Sequence, residues 1–515
     1  MAPLLALLSI LLGGEAEAST VPASKSPVAI VDVAQTDDFN EFEDSWKYVW
    51  AHDTQVADIQ PAEPTVQRWL GKVEIPGQVI DFVVTIVETE EGLTGKLDIP
   101  VQGLVGGELR GVKREGDELA FHFEIPSAPE ANWPKWVVTI DETGKLAEGV
   151  LNQSGASFPS SLVLDETGKA EVLNRPQNPT RPLPYREEEV TITSGDHTLA
   201  GTLTVPDENE FGKGPYPGAV LITGSGPQDR DETLLGHKPF LVLSDRLTRR
   251  GIAVLRYDDR GFGGSTGDFA TATTMDFADD ARACATWLGG RDEVNHIGLI
   301  GHSEGGLIAP FVARDNDGVD FVVLLAAPGV PGREVIMRQM HDLSVVGGLD
   351  EATIAEQSKL MKQVYDMIDS GASEEEIRSG IDKLVRLQFG VAPDDESGSI
   401  AEAVEQTYQQ VTGPWWSQFL KLDPRPALRE MTQPVLALNG SLDLQVAADQ
   451  NLAEIERVFA DAGKSDKLTA FELDGLNHLF QPATTGGMDE YSQIETTFDE
   501  DAMERIARWI IEHVR

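Results

Sequence analysis

The sequence predicts two folded units: a small antiparallel β domain, then an α/β domain with a mostly parallel sheet and a helical cap insertion. Over 61–175, apolar and polar residues alternate with a period of two, which is typical of half-buried strands. Over 185–515, apolar strands alternate with helical stretches, which favours a parallel sheet covered on both faces. The stretch 333–424 has a helical pattern and is too long for a loop, so we interpret it as a cap.

Length and composition narrow the function. The chain has 515 residues, more than one ordinary core accommodates. Its net charge is −45, from 41 basic and 86 acidic residues, and it has no extended basic stripe, so we expect no nucleic-acid partner. The single cysteine, Cys284, excludes an internal disulfide, and no Cys/His cluster has zinc spacing. We therefore predict neither a metal site nor a cofactor.

The first 18 residues have the pattern of a signal peptide. Leu4 to Leu12 is apolar but too short to span a bilayer, and Ala16-Glu17-Ala18 is typical of a cleavage site. We therefore expect a protein that is secreted or periplasmic, with no membrane span. The polar, acidic stretch 19–60 is predicted to be a leader or linker.

The N-terminal β domain, 61–175, is predicted to be a small barrel or sandwich. The turn Asp141–Lys145 recurs as Asp165–Lys169, which indicates at least two similar hairpins. Trp69, Trp133 and Trp136 either pack in the core or bind a substrate or the cell envelope. A Pro-rich joint after this domain precedes the α/β domain.

The α/β domain begins with an antiparallel pair, and six apolar strands follow. The predicted strands are Val190–Ile192, Leu199–Val205, Pro217–Thr223, Ile252–Tyr257, His296–Gly301, Phe321–Ala326, Pro434–Leu438 and Leu468–Leu473. The cap at 333–424 is expected to cover the carboxyl ends of these strands, where such sheets bind ligands. In the cap, Trp415, Trp416 and Phe419 are candidates either for an acyl pocket or for packing against the core.

The stretch Gly301-His-Ser-Glu-Gly305 follows one of these strands and precedes a helical segment. A G-x-S-x-G pattern in that context predicts a nucleophile elbow, with Ser303 on a tight turn and helix N–H groups directed at it. A chance match is the alternative, but the flanking strand and helix favour the elbow.

A serine nucleophile requires a base and an acid that orients the base. Of nine histidines, His478 lies in a loop just after a late strand, whereas His237, His341 and His513 fall on helical stretches and His302 is assigned to packing or pocket lining. Asp443 ends another strand; Asp449 is predicted to cap a helix, and Asp474 is too close to His478 in the chain. Ser303, Asp443 and His478 are therefore the predicted catalytic residues, in the chain order serine, acid, histidine.

The oxyanion hole requires two backbone N–H groups. We assign one to Glu304, directly after the nucleophile, and the other to Ser225 in the glycine-rich turn after Pro217–Thr223, with Gly226 as second choice. A phosphate cradle at this turn is disfavoured, because no Gly-Lys-Ser/Thr follows.

Five motifs together resemble one protein family. They are Gly224-Ser-Gly-Pro-Gln-Asp-Arg-Asp-Glu232, Gly236-His-Lys-Pro-Phe240, Leu255-Arg-Tyr-Asp-Asp-Arg-Gly-Phe-Gly-Gly-Ser265, Gly301-His-Ser-Glu-Gly-Gly306 and Gly475-Leu-Asn-His-Leu-Phe-Gln481. They resemble the serine aminopeptidase-like branch of bacterial α/β-hydrolase esterases, and the preceding β region is similar to a module often found ahead of that domain. The resemblance implies an α/β-hydrolase fold and hydrolysis of carboxylic esters with short acyl groups, with Ser303, Asp443 and His478 as nucleophile, acid and base. The charged residues Arg256, Asp258, Asp259 and Arg260 match a family loop, which we interpret as an ion-pair network.

Two classes of alternative remain open at this point. A peptidase, amidase, thioesterase or acyltransferase could use the same three residues on a different substrate. A binding protein without catalysis could also be built on a hydrolase scaffold, although the complete Ser-Asp-His set disfavours it. A small-molecule ester is the expected partner, and the oligomeric state is left open.

Overall fold

The computed structural model describes residues 65–75, 78–89, 92–99, 104–124, 133–153, 156–165, 175–389, 391, 398–491 and 493–514. The predicted signal peptide, 1–18, and the leader, 19–60, lie outside these residues, as does most of the second predicted turn, Asp165–Lys169. None of the described helices is both long and apolar enough to cross a membrane.

Eight antiparallel strands near the N-terminus close into a barrel. They are β1 (Thr65–Ile75), β2 (Gln78–Thr89), β3 (Gly92–Ile99), β4 (Leu104–Glu115), β5 (Glu118–Phe123), β6 (Lys135–Ile140), β7 (Leu146–Gln153) and β8 (Ala156–Leu164). The barrel closes because β1 pairs with both β2 and β8, which leaves no free sheet edge. Of the two folds that the sequence predicted, barrel or sandwich, the barrel is therefore correct.

Alternation places one face of each barrel strand inside. Phe82 and Val84 of β2 are buried, whereas Asp81 is exposed. Trp69 and Trp136 lie in the barrel core, and Trp136 packs against Phe82 and Phe121 with ring centroids 5.4 and 5.3 Å apart. Two of the three tryptophans are therefore core residues, whereas Trp133 is only partly buried and stacks on His122.

The second unit is a mixed sheet of eight strands with helices on both faces. Its strands are β9 (Arg186–Ser194), β10 (His197–Val205), β11 (Tyr216–Ile222), β12 (Ala253–Tyr257), β13 (Val294–His302), β14 (Phe321–Leu325), β15 (Val435–Gly440) and β16 (Leu468–Leu473). Their order in the sheet is β16-β15-β14-β13-β11-β12-β10-β9. The strands β9 and β10 are antiparallel to their neighbours, and β11 to β16 run parallel. Because β11 lies between β12 and β13, successive connections pass to opposite faces, and such a switch point is where ligands bind in open α/β sheets.

Helices cover the sheet and form the cap. Outside the cap they are α1 (Glu208–Phe211), α2 (Pro239–Thr248), α3 (Thr274–Gly289), α4 (Glu304–Arg314), α10 (Arg425–Glu430), α11 (Ala448–Asp461), α12 (Met488–Tyr491) and α13 (Glu500–His513). The cap helices are α5 (Gly332–Val346), α6 (Glu351–Ser370), α7 (Glu374–Phe389), α8 (Gly398–Thr412) and α9 (Pro414–Phe419). The helical patterns in the sequence over Asp501–His513, Glu351–Gly371 and Glu374–Phe389 match α13, α6 and α7 to within a residue.

Two apolar cores lie on opposite faces of this sheet. One core includes Ala281 of α3, Val312 of α4 and Ile455 of α11, and the other includes Leu243 of α2 and Ile506 of α13. The central strands are buried along their whole length, as expected for parallel strands covered on both faces. This double packing fixes the strand ends, and the loops that carry the polar residues start from those fixed ends.

Candidate active site

Ser303 lies on a sharp turn between β13 and α4. Its φ of 54° and ψ of −117° are unusual for a residue with a side chain. Two glycines allow the turn: a Cβ on Gly301 would lie 2.0 Å from the Gly305 carbonyl oxygen, and one on Gly305 would lie 2.1 Å from the Ile222 carbonyl oxygen. The strained serine, the close strand and the helix that begins at the next residue together form the geometry of a nucleophile elbow.

His478 and Asp443 are brought together by loops that follow neighbouring strands. His478 Nδ1 lies 2.9 Å from Asp443 Oδ2, and both side chains are buried. Asp443 Oδ1 accepts the backbone N–H groups of Gln445 and Val446, each at 2.9 Å. With Asn439 also donating to Oδ2, the carboxylate is fixed on all sides. Such a carboxylate holds the proton of the imidazole on Nδ1 and leaves Nε2 as the acceptor.

The loop that carries His478 is shaped by its own side chains. Buried Asn477 accepts the backbone N–H groups of Leu479 and Gln481 through Oδ1, at 3.0 and 2.9 Å.

The pKa of His478 is lowered, first by burial and also by the nearby His302, although the Asp443 carboxylate opposes the shift. His478 is therefore neutral near pH 7, which is the form that accepts a proton.

The two predicted oxyanion residues lie beside Ser303. A cavity of about 20 Å³ is lined by Ser225, Ser303 and Glu304 together with cap residues that include Trp415 and Phe419. The N–H of Gly224 is already taken by Glu232 Oε1 at 2.8 Å, which leaves the next residue, Ser225, to face the cavity. Trp416, by contrast, is buried in the cap core and does not line the cavity.

The charged stretch after β12 fixes the glycine-rich loop. Asp259 accepts the Thr223 hydroxyl and the Gln228 backbone N–H, each at 2.9 Å, and burial raises its pKa. Arg230 pairs with Asp258 at 2.8 Å, and Arg256 pairs with Asp231. These contacts connect the loop to the sheet rather than to the cavity, as the ion-pair interpretation expected.

Two side chains at the site, those of Glu304 and His302, have contacts that sequence reasoning did not find. Glu304 was assigned only through its backbone N–H, but its buried carboxyl oxygen Oε1 accepts Thr274 Oγ1 and Trp415 Nε1, each at 2.7 Å. Burial raises its pKa to about 7. His302, assigned to packing or pocket lining, lies 2.8 Å from Glu232 Oε1 through Nδ1. The sequence did contain a signal for the His302 contact: a histidine directly before Ser303 and a carboxylate in the glycine-rich loop.

Two minor assignments were wrong. His237 does not lie on a helix: its N–H bonds to the Leu234 carbonyl in a turn, because α2 begins only at Pro239. Asp449 is in the first turn of α11 rather than its cap, which is Ala447, and it pairs with Arg338. Among the described residues, no three His, Cys, Asp or Glu side chains cluster so as to hold a metal ion.

Comparison with known proteins finds a family match within the α/β domain. Residues 239–363, which include Ser303, match the family described as serine aminopeptidase, S33. The predicted resemblance is therefore confirmed, and the C-terminal unit is an α/β-hydrolase domain preceded by an antiparallel barrel.

Individual relatives are more distant. Esterase EstD of Thermotoga maritima is 26% identical over 330 residues, which are 64% of this chain and 68% of that protein. A proline iminopeptidase structure from Mycobacterium smegmatis has 17% identity, covers 63% of this chain and 98% of its own, and gives a TM-score of 0.39. The esterase Pf2001 of Pyrococcus furiosus has 15% identity, covers 64% of this chain and 92% of its own, and gives a TM-score of 0.40. The family match and the sequence relative support a hydrolase.

Proposed function

We propose that this protein is a serine hydrolase that cleaves carboxylic esters with short acyl groups through an acyl-enzyme. The observation that carries the proposal is the buried His478–Asp443 pair, at 2.9 Å, in a site where Ser303 occupies a strained turn at the start of a helix. The relation to an esterase of Thermotoga maritima supports the ester as substrate. The cap residues Trp415 and Phe419 line the cavity beside Ser303 and would limit the length of the acyl group, which supports a short acyl chain.

In this mechanism, the chain's own residues perform each proton transfer. His478 Nε2 takes the hydroxyl proton of Ser303 as the serine oxygen attacks the ester carbonyl. The N–H groups of Glu304 and Ser225 stabilise the oxyanion that forms. His478 then protonates the leaving alcohol, and in the second half it activates a water molecule that releases the acid and restores Ser303.

The test is hydrolysis of p-nitrophenyl esters of rising acyl length beside aminoacyl-p-nitroanilides, with Ser303→Ala as control. We expect fast cleavage of short esters and a loss of roughly 10⁴-fold or more in kcat for Ser303→Ala, with an unchanged circular dichroism spectrum. Cleavage of anilides instead would establish a peptidase. Turnover by Ser303→Ala within a few-fold of the native protein would refute the nucleophile, and inactivity on all substrates would favour the binding-protein alternative.

The cellular location of the protein is part of the same proposal. We infer export, to the periplasm or out of the cell, from the signal-peptide pattern of residues 1–18. Expression of the full chain in a bacterium followed by N-terminal sequencing of the product tests it. A mature N-terminus at Ser19 supports export through cleavage after Ala18, whereas an intact N-terminus in the cytosolic fraction contradicts it.

A further inference from the structure

His302 is a second buried histidine at the site, and the proposed mechanism does not use it. It ends β13 immediately before Ser303, and 6% of its side chain is exposed. Its Nδ1 lies 2.8 Å from Glu232 Oε1, and its Nε2 lies 2.9 Å from the backbone carbonyl oxygen of His478. Its ring centroid is 4.7 Å from that of His478.

The partners of His302 determine its protonation. A carbonyl oxygen can only accept, so Nε2 must carry a proton. Glu232 Oε1 also accepts the Gly224 N–H at 2.8 Å, and one oxygen that accepts two donors is typical of an ionised carboxylate. Nδ1 therefore carries a proton as well, and the ring is an imidazolium whose charge is balanced by Glu232.

The electrostatics agree with this geometry. Burial alone lowers the pKa of His302, but the Glu232 charge, the hydrogen bonds to Glu232 and His478 and the more distant Asp443 outweigh it and raise the pKa. The nearby charge of His302 contributes to the lowered pKa of His478. The two histidines thus differ in role. The environment raises the pKa of one and lowers that of the other, so His302 is the charged group and His478 is the base.

We propose that His302 is a positioning residue. As a doubly protonated imidazolium it connects the glycine-rich loop after β11, through Glu232, to the loop that carries His478. This inference rests on the proposed function, because it assigns His478 as the base. Through Glu232 it fixes the Gly224–Ser225 segment, and through the His478 carbonyl it fixes the height of the base above Ser303. Its charge also keeps His478 unprotonated at neutral pH.

A spectroscopic experiment tests the protonation without any turnover. Histidine-¹⁵N-labelled protein is examined at pH 7, and His302 is assigned by the resonances that disappear in His302→Gln. We expect both ring nitrogens of His302 to have protonated shifts and a low-field Nδ1 proton. One unprotonated ring nitrogen at pH 7 would overturn the proposal, whether or not the protein proves to be an esterase.

A kinetic experiment tests the positioning. In Glu232→Gln, the ring can lose its charge and keep Nε2–H on the His478 carbonyl, so the protein should fold. We expect kcat for a short ester to fall roughly tenfold to a hundredfold, with KM changed less than about threefold, because misplacement acts on the transition state. We also expect the acid limb of the kcat/KM profile to move to higher pH in both Glu232→Gln and His302→Gln, because removal of the charge raises the pKa of His478.

The matched control is His197→Gln. His197 lies 2.8 Å from Asp280, a pair of the same kind outside the site, and its loss should leave the acid limb in place. An acid limb that stays fixed in both site variants would reduce His302 to a packing role and refute the proposal. If Ser303→Ala remained active, the proposed function would fail instead, and the spectroscopic result would still decide the charge of His302.

Discussion

The barrel and the α/β domain bury different kinds of side chain. In the described part of the barrel, the buried residues are apolar apart from a few, such as Gln153 and Ser160. The described part of the α/β domain also buries acidic, histidine and arginine side chains, and these are Glu232, His237, Arg256, Asp258, Asp259, Asp280, His302, Glu304, Asp443 and His478. Burial of a charge costs several kcal/mol unless partners compensate. Among the described residues, the second domain carries most of this cost, whereas the barrel unit has one nearly buried ion pair, Arg68–Asp165.

The buried charges are not scattered over the α/β domain. Asp259 follows β12, Glu304 follows β13 and Asp443 follows β15, so all three lie where a parallel strand ends. Asp280 is an exception on α3, where it pairs with Arg260 and His197. Several of the buried ionisable groups therefore lie at one edge of one sheet, which is the edge that carries the proposed site.

The largest expected effect concerns Asp443, the proposed acid of the site. In Asp443→Asn, the side-chain oxygen should keep the backbone N–H groups of Gln445 and Val446, which turns the amide NH₂ toward His478 Nδ1. The imidazole would then carry its proton on Nε2 and could not accept one from Ser303. We expect kcat for a short ester to fall about 10⁴-fold with little change in the melting temperature.

Asp449→Asn is the control, because Asp449 is an acid of the same region that forms only an exposed pair with Arg338. It should leave kcat within twofold of the native value. A loss of less than tenfold in Asp443→Asn would mean that His478 is oriented by another group.

A core substitution in the barrel should affect stability and not chemistry. Trp136 is 2% exposed and packs against Phe82 and Phe121. We expect Trp136→Ala to lower the free energy of unfolding by roughly 3–5 kcal/mol, as large-to-small substitutions in cores do. Calorimetry measures the loss, and kcat measured below the unfolding temperature should stay within twofold.

Trp133→Ala is the companion variant, since its ring stacks on His122 at 5.8 Å outside the core cluster. Trp133→Ala should lower the free energy of unfolding by less than about 1 kcal/mol. If kcat fell in proportion to stability in Trp136→Ala, the barrel would take part in catalysis and the contrast between the domains would be wrong.

The contrast also explains what the sequence could predict. Apolar strands such as β13 and β14 are recognisable locally, because the run of buried residues is continuous in the chain. Ser303, Asp443 and His478 were each proposed from a strand end and a neighbouring motif, and the structure places Asp443 and His478 in contact.

The contacts of His302 and Glu304 were not predictable in this way. Glu232 lies 70 positions from His302, and Trp415 lies 111 positions from Glu304. Their meeting depends on how a loop and the cap fold over the site, which no local pattern encodes. His237 was misplaced for a related reason, since a turn and a helix start look alike until the first hydrogen bonds are known.

A smaller effect, on the free energy of unfolding, is expected from the buried carboxyl of Glu304. Burial raises its pKa from 4.5 to about 7, so between those values the folded state binds more protons than the unfolded state. The free energy of unfolding therefore decreases as pH rises through this window, and the full cost above pH 7 is about 3 kcal/mol. Glu304→Gln should be more stable than the native protein at pH 8 by up to that amount and nearly equal to it at pH 4.

Urea unfolding of both proteins at the two pH values measures this difference. Glu375→Gln on the exposed side of α7 is the control, because its side chain stays in water in both states. A gain that is equal at pH 4 and pH 8 would show that Glu304 does not titrate in this range.

The smallest effect concerns the contact between the cap and the nucleophile turn. Trp415→Phe removes the N–H that donates to Glu304 Oε1 at 2.7 Å but keeps the stack on Phe419, 4.9 Å away. A single hydrogen bond is worth about 1 kcal/mol, so we expect KM for a short ester to rise about fivefold with kcat within twofold.

Trp416→Phe is the matched control, because the Trp416 ring packs against Tyr365 within the cap. It should change KM less than Trp415→Phe does. The double variant Trp415→Phe, Glu304→Gln separates two explanations of the KM change. If the carboxyl charge of Glu304 sets the strength of the hydrogen bond, Trp415→Phe should have no further effect on KM in the Glu304→Gln background. Full additivity would instead place the effect in the lost volume of the ring, and the buried charge of Glu304 would then act on the stability of the domain and not on the cap.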